Sequence, residues 1–415
     1  MTNEVVNVPE LRFPEFDEEW KKKKLDDIAN YRRGSFPQPY GNKEWYDEKN
    51  GEPFVQVVDV DKNMKLHDQT KQKISDLAKP KSVKGFKGDI VVTLQGSIGR
   101  VALLHYDAYI DRTLLLIDSF KIEMNKNYFK YVLYLLFLKE KERAPGGTIK
   151  TITKKVLSNF KIDIPNVGEQ EKIGEFFSKL DQQIELEEQK LEKLEEQKKG
   201  YMQQIFSQEL RFKDEDGNIY PDWKEYVLGE TGNTYSGLSS KTKEDFGYGD
   251  SYFITYMNVF KNTIAKVNMI EKVNIQENEK QNKVNYKDIL FTTSSEVPEE
   301  TGMSSIWLYK ESNVYLNSFC FGFRVTCDDI EPIYLTRFLR SEKMRKQITI
   351  LSQGSTRFNI SKKEVMKLKI DVPNLEEQTK IVNFLSKYDS LIESQSSKID
   401  LLKERKKGFL QKMFV

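Results

Sequence analysis

The chain has 415 residues, of which 38% are hydrophobic, 12% aromatic and 31% charged, with a formal net charge of +2 at pH 7. That suffices for two to three packed domains, and no apolar run nears the ~20 residues a membrane span needs. Two histidines far apart and two cysteines in a C-x6-C spacing, Cys320 and Cys327, argue against a histidine-rich metal site, a zinc cluster and a disulfide framework. The cysteines are read as buried free thiols. The N-terminus lacks a basic-then-apolar signal, so a cytoplasmic location is expected.

In chain order, the first recognisable feature is Glu10-Leu11-Arg12-Phe13 followed by Trp20-Lys21. Arg32-Arg33-Gly34-Ser35-Phe36 comes next, a loop whose Arg32, Arg33 and Ser35 suit phosphates and base edges. Short β-rich runs follow at Phe54–Val58, Asp89–Thr93 and Arg100–Leu104. Residues 62–100 hold nine Lys or Arg against three Asp. Lys62, Lys65, Lys71, Lys73, Lys79, Lys81, Lys84 and Lys87 are suited to release counterions from a phosphate backbone. A solvated basic face is the alternative. Thr93–Arg100 joins two strands: Gln95 is a candidate reader of adenine, Ser97 and Arg100 candidates for phosphate, and Gly96 and Gly99 allow close backbone approach. Ordinary hairpin loops remain the alternative. An amphipathic helix is predicted over Tyr128–Glu142, and a loop at Gly146-Gly147-Thr148.

Ile162-Asp163-Ile164-Pro165-Asn166 then opens a long acidic helix, with Glu169-Gln170 in its first turn. Its apolar positions, Ile173, Phe177, Leu180, Ile184, Leu191, Leu194, Tyr201 and Ile205, step by four and three residues, which is a coiled-coil seam. The chain then begins again. Glu209-Leu210-Arg211-Phe212 and Trp223-Lys224 repeat the opening signature, and Ile370–Phe414 repeats Ile162–Phe206 without a gap, identical at nearly half of its positions. The copied seam reads Ile381, Leu385, Tyr388, Ile392, Ile399, Leu402, Phe409 and Met413. Between the copied parts lies a second globular segment with β runs at Asp288–Thr292 and Cys320–Val325, a helix over Pro332–Gln347 and a Gly354-Ser355-Thr356 loop. Its candidate nucleic-acid contacts are Ser239, Ser240, Lys241, Thr293, Ser294, Ser295 and Arg357.

The repeat predicts two α+β halves with curled, mostly antiparallel sheets, carried by two long helices paired antiparallel about a pseudo-two-fold axis. At ~1.5 Å per residue each rod spans about 55 Å, holding the globular parts several nanometres apart. Two seam positions are polar in both copies. The expected register satisfies them by setting Glu187 against Lys406, Lys198 against Gln395, Leu191 against Leu402 and Leu194 against Ile399, flanked by Ile184 and Ile392. The same arrangement brings the C-terminus beside Glu10–Phe13. Trp20 and Trp223 are read as core anchors. There is no G-x-x-x-x-G-K-[ST] loop, no strand-linked G-x-G-x-x-G, no H-E-x-x-H and no paired C-x-x-C.

Three elements together resemble the specificity subunit of type I restriction-modification enzymes. They are Leu11–Phe16 with Trp20, the strand-loop-strand Gly88–Val101, and the repeated Ile-Asp-Ile/Val-Pro-Asn…Glu-Gln…Ile entry to the long helix. The second half departs from the pattern at Ser294–Gly302, where Gly-Ser-Ile-Gly-Arg is replaced. The resemblance implies target recognition domains at 1–160 and 209–368 and conserved coiled-coil helices at 161–208 and 369–415. It implies a non-catalytic subunit that reads a bipartite, asymmetric double-stranded DNA site, one domain per half, across a spacer fixed by the helices. Two modification subunits, carrying S-adenosylmethionine and methylating adenine, would dock on the helices. Restriction subunits using ATP and Mg would join them, leaving this chain without cofactor or metal. A coiled-coil scaffold that never touches DNA, and a single-chain nuclease or methyltransferase, are the rival classes.

Overall fold

The computed structural model describes residues 7–143 and 154–415. The chain divides into two compact units, residues 1–189 with 396–415, and residues 190–395. The predicted loop at Gly146–Thr148 lies outside the described residues.

Unit 1 has two four-stranded sheets. One is fully antiparallel and runs Ala29–Arg33, Leu114–Phe120, Ile90–Thr93, Val101–Leu103. The other runs Gln72–Ile74, Glu52–Val55, Ala108–Ile110, Val83–Gly85, with its central pair parallel. Ile90–Thr93 is buried at every position, so its even apolar run faces packed side chains on both sides rather than alternating with solvent. Unit 2 repeats the plan. Gly232–Ser236, Cys320–Val325, Ile289–Thr292 and Ser304–Ile306 form its antiparallel sheet. Ile270–Val273, Phe246–Ile254 and Val314–Leu316 form the other, again with one parallel pair. In each unit a short ribbon closes the base: Lys21–Lys24 on Lys161–Ile164, and Lys224–Val227 on Lys369–Val372.

The repeated motifs build the same anchor twice. Glu169 is fully buried at the start of the first long helix (Val167–Phe206) and accepts from Arg12 Nε and Nη2, both at 2.8 Å, and from Trp20 Nε1 at 3.2 Å. Glu377, at the start of the second long helix (Leu375–Lys412), accepts from Arg211 at 2.8 and 2.9 Å and from Trp223 Nε1 at 3.1 Å. Asn166 and Asn374 accept the backbone N–H of Glu169 and Glu377 at 2.9 Å, so each helix starts on a capped turn. The tryptophans are core anchors, as their position in both signatures indicated. The chain ends also meet as expected: Leu11 N–H donates to Lys412 O at 2.8 Å, the counterpart of Leu210 N–H to Gln204 O at 2.9 Å. Lys412 Nζ also bonds Glu10 at 2.7 Å.

Within each unit the helical segments run antiparallel. In unit 1 Asp181 pairs with Lys406 and Glu188 with Lys403. In unit 2 Lys198 pairs with Asp389, and the Tyr201 and Phe384 rings lie 5.1 Å apart. The seam residues Ile173, Phe177, Ile184, Ile381, Leu385, Ile399 and Leu402 are buried, while Leu191, Leu194 and Ile392 are only half-buried. The register expected from the polar layers is wrong. Glu187 pairs with Lys398, where Lys406 was expected to face it, and Lys198 pairs with Asp389, where the amide of Gln395 was expected. Lys198 and Lys406 each find a carboxylate six residues before the expected position, at Asp389 and Asp181, ~9 Å of helix rise.

The cause is a third participant that the seam pattern does not contain. The helix Lys126–Arg143 sends Tyr131 and Lys130 to Asp181, at 2.6 and 3.7 Å. In unit 2 Arg337 reaches Asp389 at 2.6 Å. Each globular domain thus competes for the carboxylate that the seam lysine uses. Burial pulls the Lys130 ammonium below its ordinary pKa, against the charge of Asp181 that favours it.

Two other expectations are corrected. The run Phe54–Val58 is strand only to Val55; Val57–Asp59 turns into a 3-10 helix, held by Asp59 accepting from Gln56 N–H at 2.7 Å. The helix over Pro332–Gln347 is two helices, Pro332–Leu339 and Glu342–Ile350. Arg340 ends the first by reaching the carbonyls of Val259, Phe260 and Asn262 at 3.1–3.2 Å, and Ser341 starts the second by accepting from Met344 N–H at 3.3 Å. Ser341→Ala should cost unit 2 about 1 kcal/mol in urea denaturation, the ordinary value of a lost N-cap.

Candidate nucleic-acid interface

In unit 1, loops from both sheets converge. Gly34 N–H donates to Leu114 O at 3.0 Å, Leu94 N–H to Thr113 O at 2.8 Å, and Asp111 N–H to Val55 O at 3.0 Å. These bonds tie together the Arg33–Ser35 turn, the Gln95–Gly99 loop, the Asp111–Thr113 turn and the Gln56–Val58 turn. The Gln95–Gly99 loop needs its glycines: Gly96 and Gly99 have φ of 66° and 81°, and a Cβ on Gly99 would lie 2.8 Å from Phe137 Cβ.

Unit 2 closes the same cluster with different residues. Thr293 N–H donates to Phe319 O at 2.9 Å, Asn317 N–H to Ile254 O at 3.1 Å, and Gly237 N–H to Cys320 O at 3.2 Å. The turns at 255–257, 293–303, 317–319 and 236–240 therefore occupy the places of 56–58, 94–100, 111–113 and 33–35. The loop anticipated as different in character is so: Ser294–Ser295 forms a two-residue strand with Phe358–Asn359.

Two of the stretches singled out from sequence in unit 1 thus meet at one cluster. Arg32 and Arg33 are exposed at the end of an edge strand, Arg32 facing Asp118 at 3.4 Å. Ser35 donates to Lys81 O at 3.0 Å. Gln95 is half-buried and Ser97 exposed, with the Ser97 carbonyl accepting from Thr93. Arg100 turns inward and donates to Val60 O at 2.9 Å. Three candidate lysines are held by the fold: Lys79 and Lys84 share Glu52, at 2.8 and 3.2 Å, and Lys81 lies 5.2 Å from the centre of the Trp45 ring.

In unit 2, Ser239 bonds Gln281, and Ser240 has a left-handed φ of 56°. The Lys241 side chain is 4% exposed and bonds Glu279 at 2.6 Å. Thr293 donates to Phe319 O at 2.8 Å, Ser294 is buried, and Ser295 donates to Glu300 at 3.1 Å. The Arg357 guanidinium stands over the Phe319 ring at 5.1 Å.

Sequence reasoning missed several residues of the cluster. Val58 is 51% exposed, Met257 43% and Phe319 51%. Arg112 is exposed and stands over the Tyr40 ring at 5.4 Å. Tyr40 donates to the buried Asp111 carboxylate at 3.0 Å and accepts from Gln56 Nε2 at 2.7 Å. Burial, with the Asp111 charge behind it, raises the Tyr40 hydroxyl pKa and keeps it a donor. Among the described residues no group of three or more His, Cys, Asp or Glu is placed to hold a metal ion, and no helix is long and apolar enough to cross a membrane.

The fold is thus a duplicated frame that presents two loop clusters of unlike composition, one in each unit. The family model of the type I restriction modification DNA specificity domain matches residues 17–196 and again 220–404. The chain belongs to this family, the specificity subunits of type I restriction-modification systems. It is therefore a DNA-sequence-recognition subunit and not the catalytic one.

Among similar proteins is the type I restriction enzyme MjaVIII specificity subunit of Methanocaldococcus jannaschii, 23% identical over 96% of this chain and 92% of the relative. The type I restriction enzyme EcoBI specificity subunit of Escherichia coli is 21% identical over 88% and 78%. The crystal structure of the type I restriction-modification S subunit from M. genitalium shares the fold, with a TM-score of 0.57 at 17% identity over 98% of this chain and 99% of that one. A structure from work on complex assembly and conformational transition of the type I R-M system gives a TM-score of 0.59 at 17% identity over 95% and 97%.

Proposed function

We propose that the chain reads a bipartite, asymmetric DNA site, each unit taking one half-site through its loop cluster. The observation that carries this is the pairing of one backbone arrangement with two sets of side chains: the tying hydrogen bonds recur, while Arg33, Gln95 and Thr113 give way to Ser236, Ser294 and Phe319. A protein reading the same sequence twice has no use for that divergence. Under this reading the long helices set the unread spacer and dock two adenine-modification subunits, with restriction subunits completing a cytoplasmic complex. S-adenosylmethionine, ATP and Mg belong to those partners.

Exchanging residues 20–150 for the matching segment of another specificity subunit tests the reading. Mapping methylated adenines in cells that carry the assembled system should show one half-site changed and the other kept. Change at both halves, or at neither, contradicts independent readers. Inserting seven residues into both long helices, after Gln189 and after Gln395, should lengthen the accepted spacer, because a heptad preserves the seam phase. Methylation confined to the original spacing would remove the ruler.

A further inference from the structure

The loop cluster of unit 1 encloses a shallow cleft of ≈370 Å³ whose wall includes Gln56, Val58, Lys71, Gln72 and Thr113 over a floor formed by Asp111. The floor is fixed. Asp111 is 2% exposed and accepts from Tyr40 and from the Thr113 hydroxyl, while Gln56 is bound to Tyr40. The rim is not: among the described residues the Lys71 ammonium and the Gln72 amide make no hydrogen bond or ion pair through their side chains, and Val58 is exposed. Arg112 stands next to this rim, exposed.

A lone exposed valine is ordinary on a protein surface. Here its position recurs. Val58 is the second residue of the short helix Val57–Asp59, which follows a strand paired in parallel. Met257 is the second residue of Tyr256–Lys261, which follows the corresponding parallel strand of unit 2. Two segments without evident sequence similarity thus each leave an apolar side chain uncovered at one point of the same loop cluster.

We infer that this cleft is where unit 1 reads its half-site, and that it reads an A·T pair. The inference rests on the two-reader function proposed above and names the side chains that perform it. The Gln72 amide has the donor and acceptor that adenine N7 and N6 require, and Val58 is an apolar partner for a thymine methyl. Lys71 and Arg112 are cations that form no salt bridge with a carboxylate among the described residues, placed to hold the flanking phosphates. Met257 has the role of Val58 in unit 2, beside a cluster in which Phe319 is also exposed.

The test uses the full chain assembled with its cognate modification subunits, methylating DNA in which one half-site at a time is randomised. Gln72→Ala should lower discrimination at one A·T position of the first half-site by about tenfold or more, and Val58→Ala should lower it by less, since a shorter apolar side chain remains, with the second half-site unchanged. Met257→Ala should act on the second half-site alone. Gln72→Glu should turn that position toward cytosine, whose N4 amine a carboxylate accepts; a gained preference cannot arise from misfolding. Unchanged base preferences in all four variants, while exchange of residues 20–150 still moves the half-site, overturn the cleft assignment and leave the two-reader function standing. If that exchange also leaves the site unmoved, both are overturned.

Discussion

Glu377→Ala should destabilise unit 2 by about 3–5 kcal/mol, and Glu169→Ala should cost unit 1 the same within about 1 kcal/mol. Both carboxylates are fully buried, and each holds an arginine through two parallel bonds and a tryptophan through a third. Removing either leaves a guanidinium that is 13% (Arg12) or 14% (Arg211) exposed without its counter-charge, and an indole N–H, buried in Trp20 and half-buried in Trp223, without its acceptor. The hydrogen bond to Glu377 raises the Arg211 pKa against burial, and the guanidinium stays charged when that partner goes because its ordinary pKa lies far above neutral. A loss of this size is a large part of the 5–15 kcal/mol that separates a native domain from its unfolded chain. Glu377→Gln keeps an acceptor for Arg211 or Trp223 and should cost less than half as much. Urea denaturation followed by tryptophan fluorescence reads both, since Trp20 and Trp223 sit in the two anchors. A loss under 1 kcal/mol in either alanine variant would mean that the arginine swings into water, and that the anchor contributes little.

These anchors were legible in the sequence because their parts recur at matching places: Arg12 with Trp20 and Glu169, Arg211 with Trp223 and Glu377. The duplicated rods were legible for the same reason, and the period of their apolar residues separates buried from exposed positions at Ile173, Phe177, Ile184, Ile399 and Leu402. The pairing register was not. Seam complementarity counts only two helices, whereas Asp181 and Asp389 each join their own helix to two further elements. The break at Arg340 was hidden because it depends on carbonyls some eighty residues away in sequence, at the end of Tyr256–Lys261. Lys79 and Lys84 looked like phosphate contacts in a basic run, yet Glu52, from a distant strand, claims both. The loop cluster was half visible: Gln95–Arg100 shows itself by its glycines, while Val58 is indistinguishable from a strand residue until the chain turns at Val57.

Asp389→Leu is the sharpest probe of the three-element junction. Asp389 binds Arg337 and Lys198, and Arg337 is 1% exposed with its Nε unpaired. Only Ser386 Oγ, at 3.0 Å, and no second carboxylate remains to it among the described residues. Leaving that cation buried should cost about 3–5 kcal/mol. The double variant Arg337→Met/Asp389→Leu should recover most of the loss, because a buried ion pair exchanged for apolar side chains of similar volume is often neutral or stabilising. Asp181→Leu in unit 1 should cost less. The Tyr131 hydroxyl would lose an acceptor, but the charged partners Lys130 and Lys406 have side chains 10% and 15% exposed, and long flexible ammonium side chains reach water where a buried guanidinium cannot. The order expected in urea denaturation is therefore Asp389→Leu weakest, Asp181→Leu intermediate, and the double variant nearest to the parent. A double variant no more stable than Asp389→Leu would show that Asp389 serves Lys198 and the seam rather than Arg337. The junction would then hold the two rods to each other and not the reader to the rods.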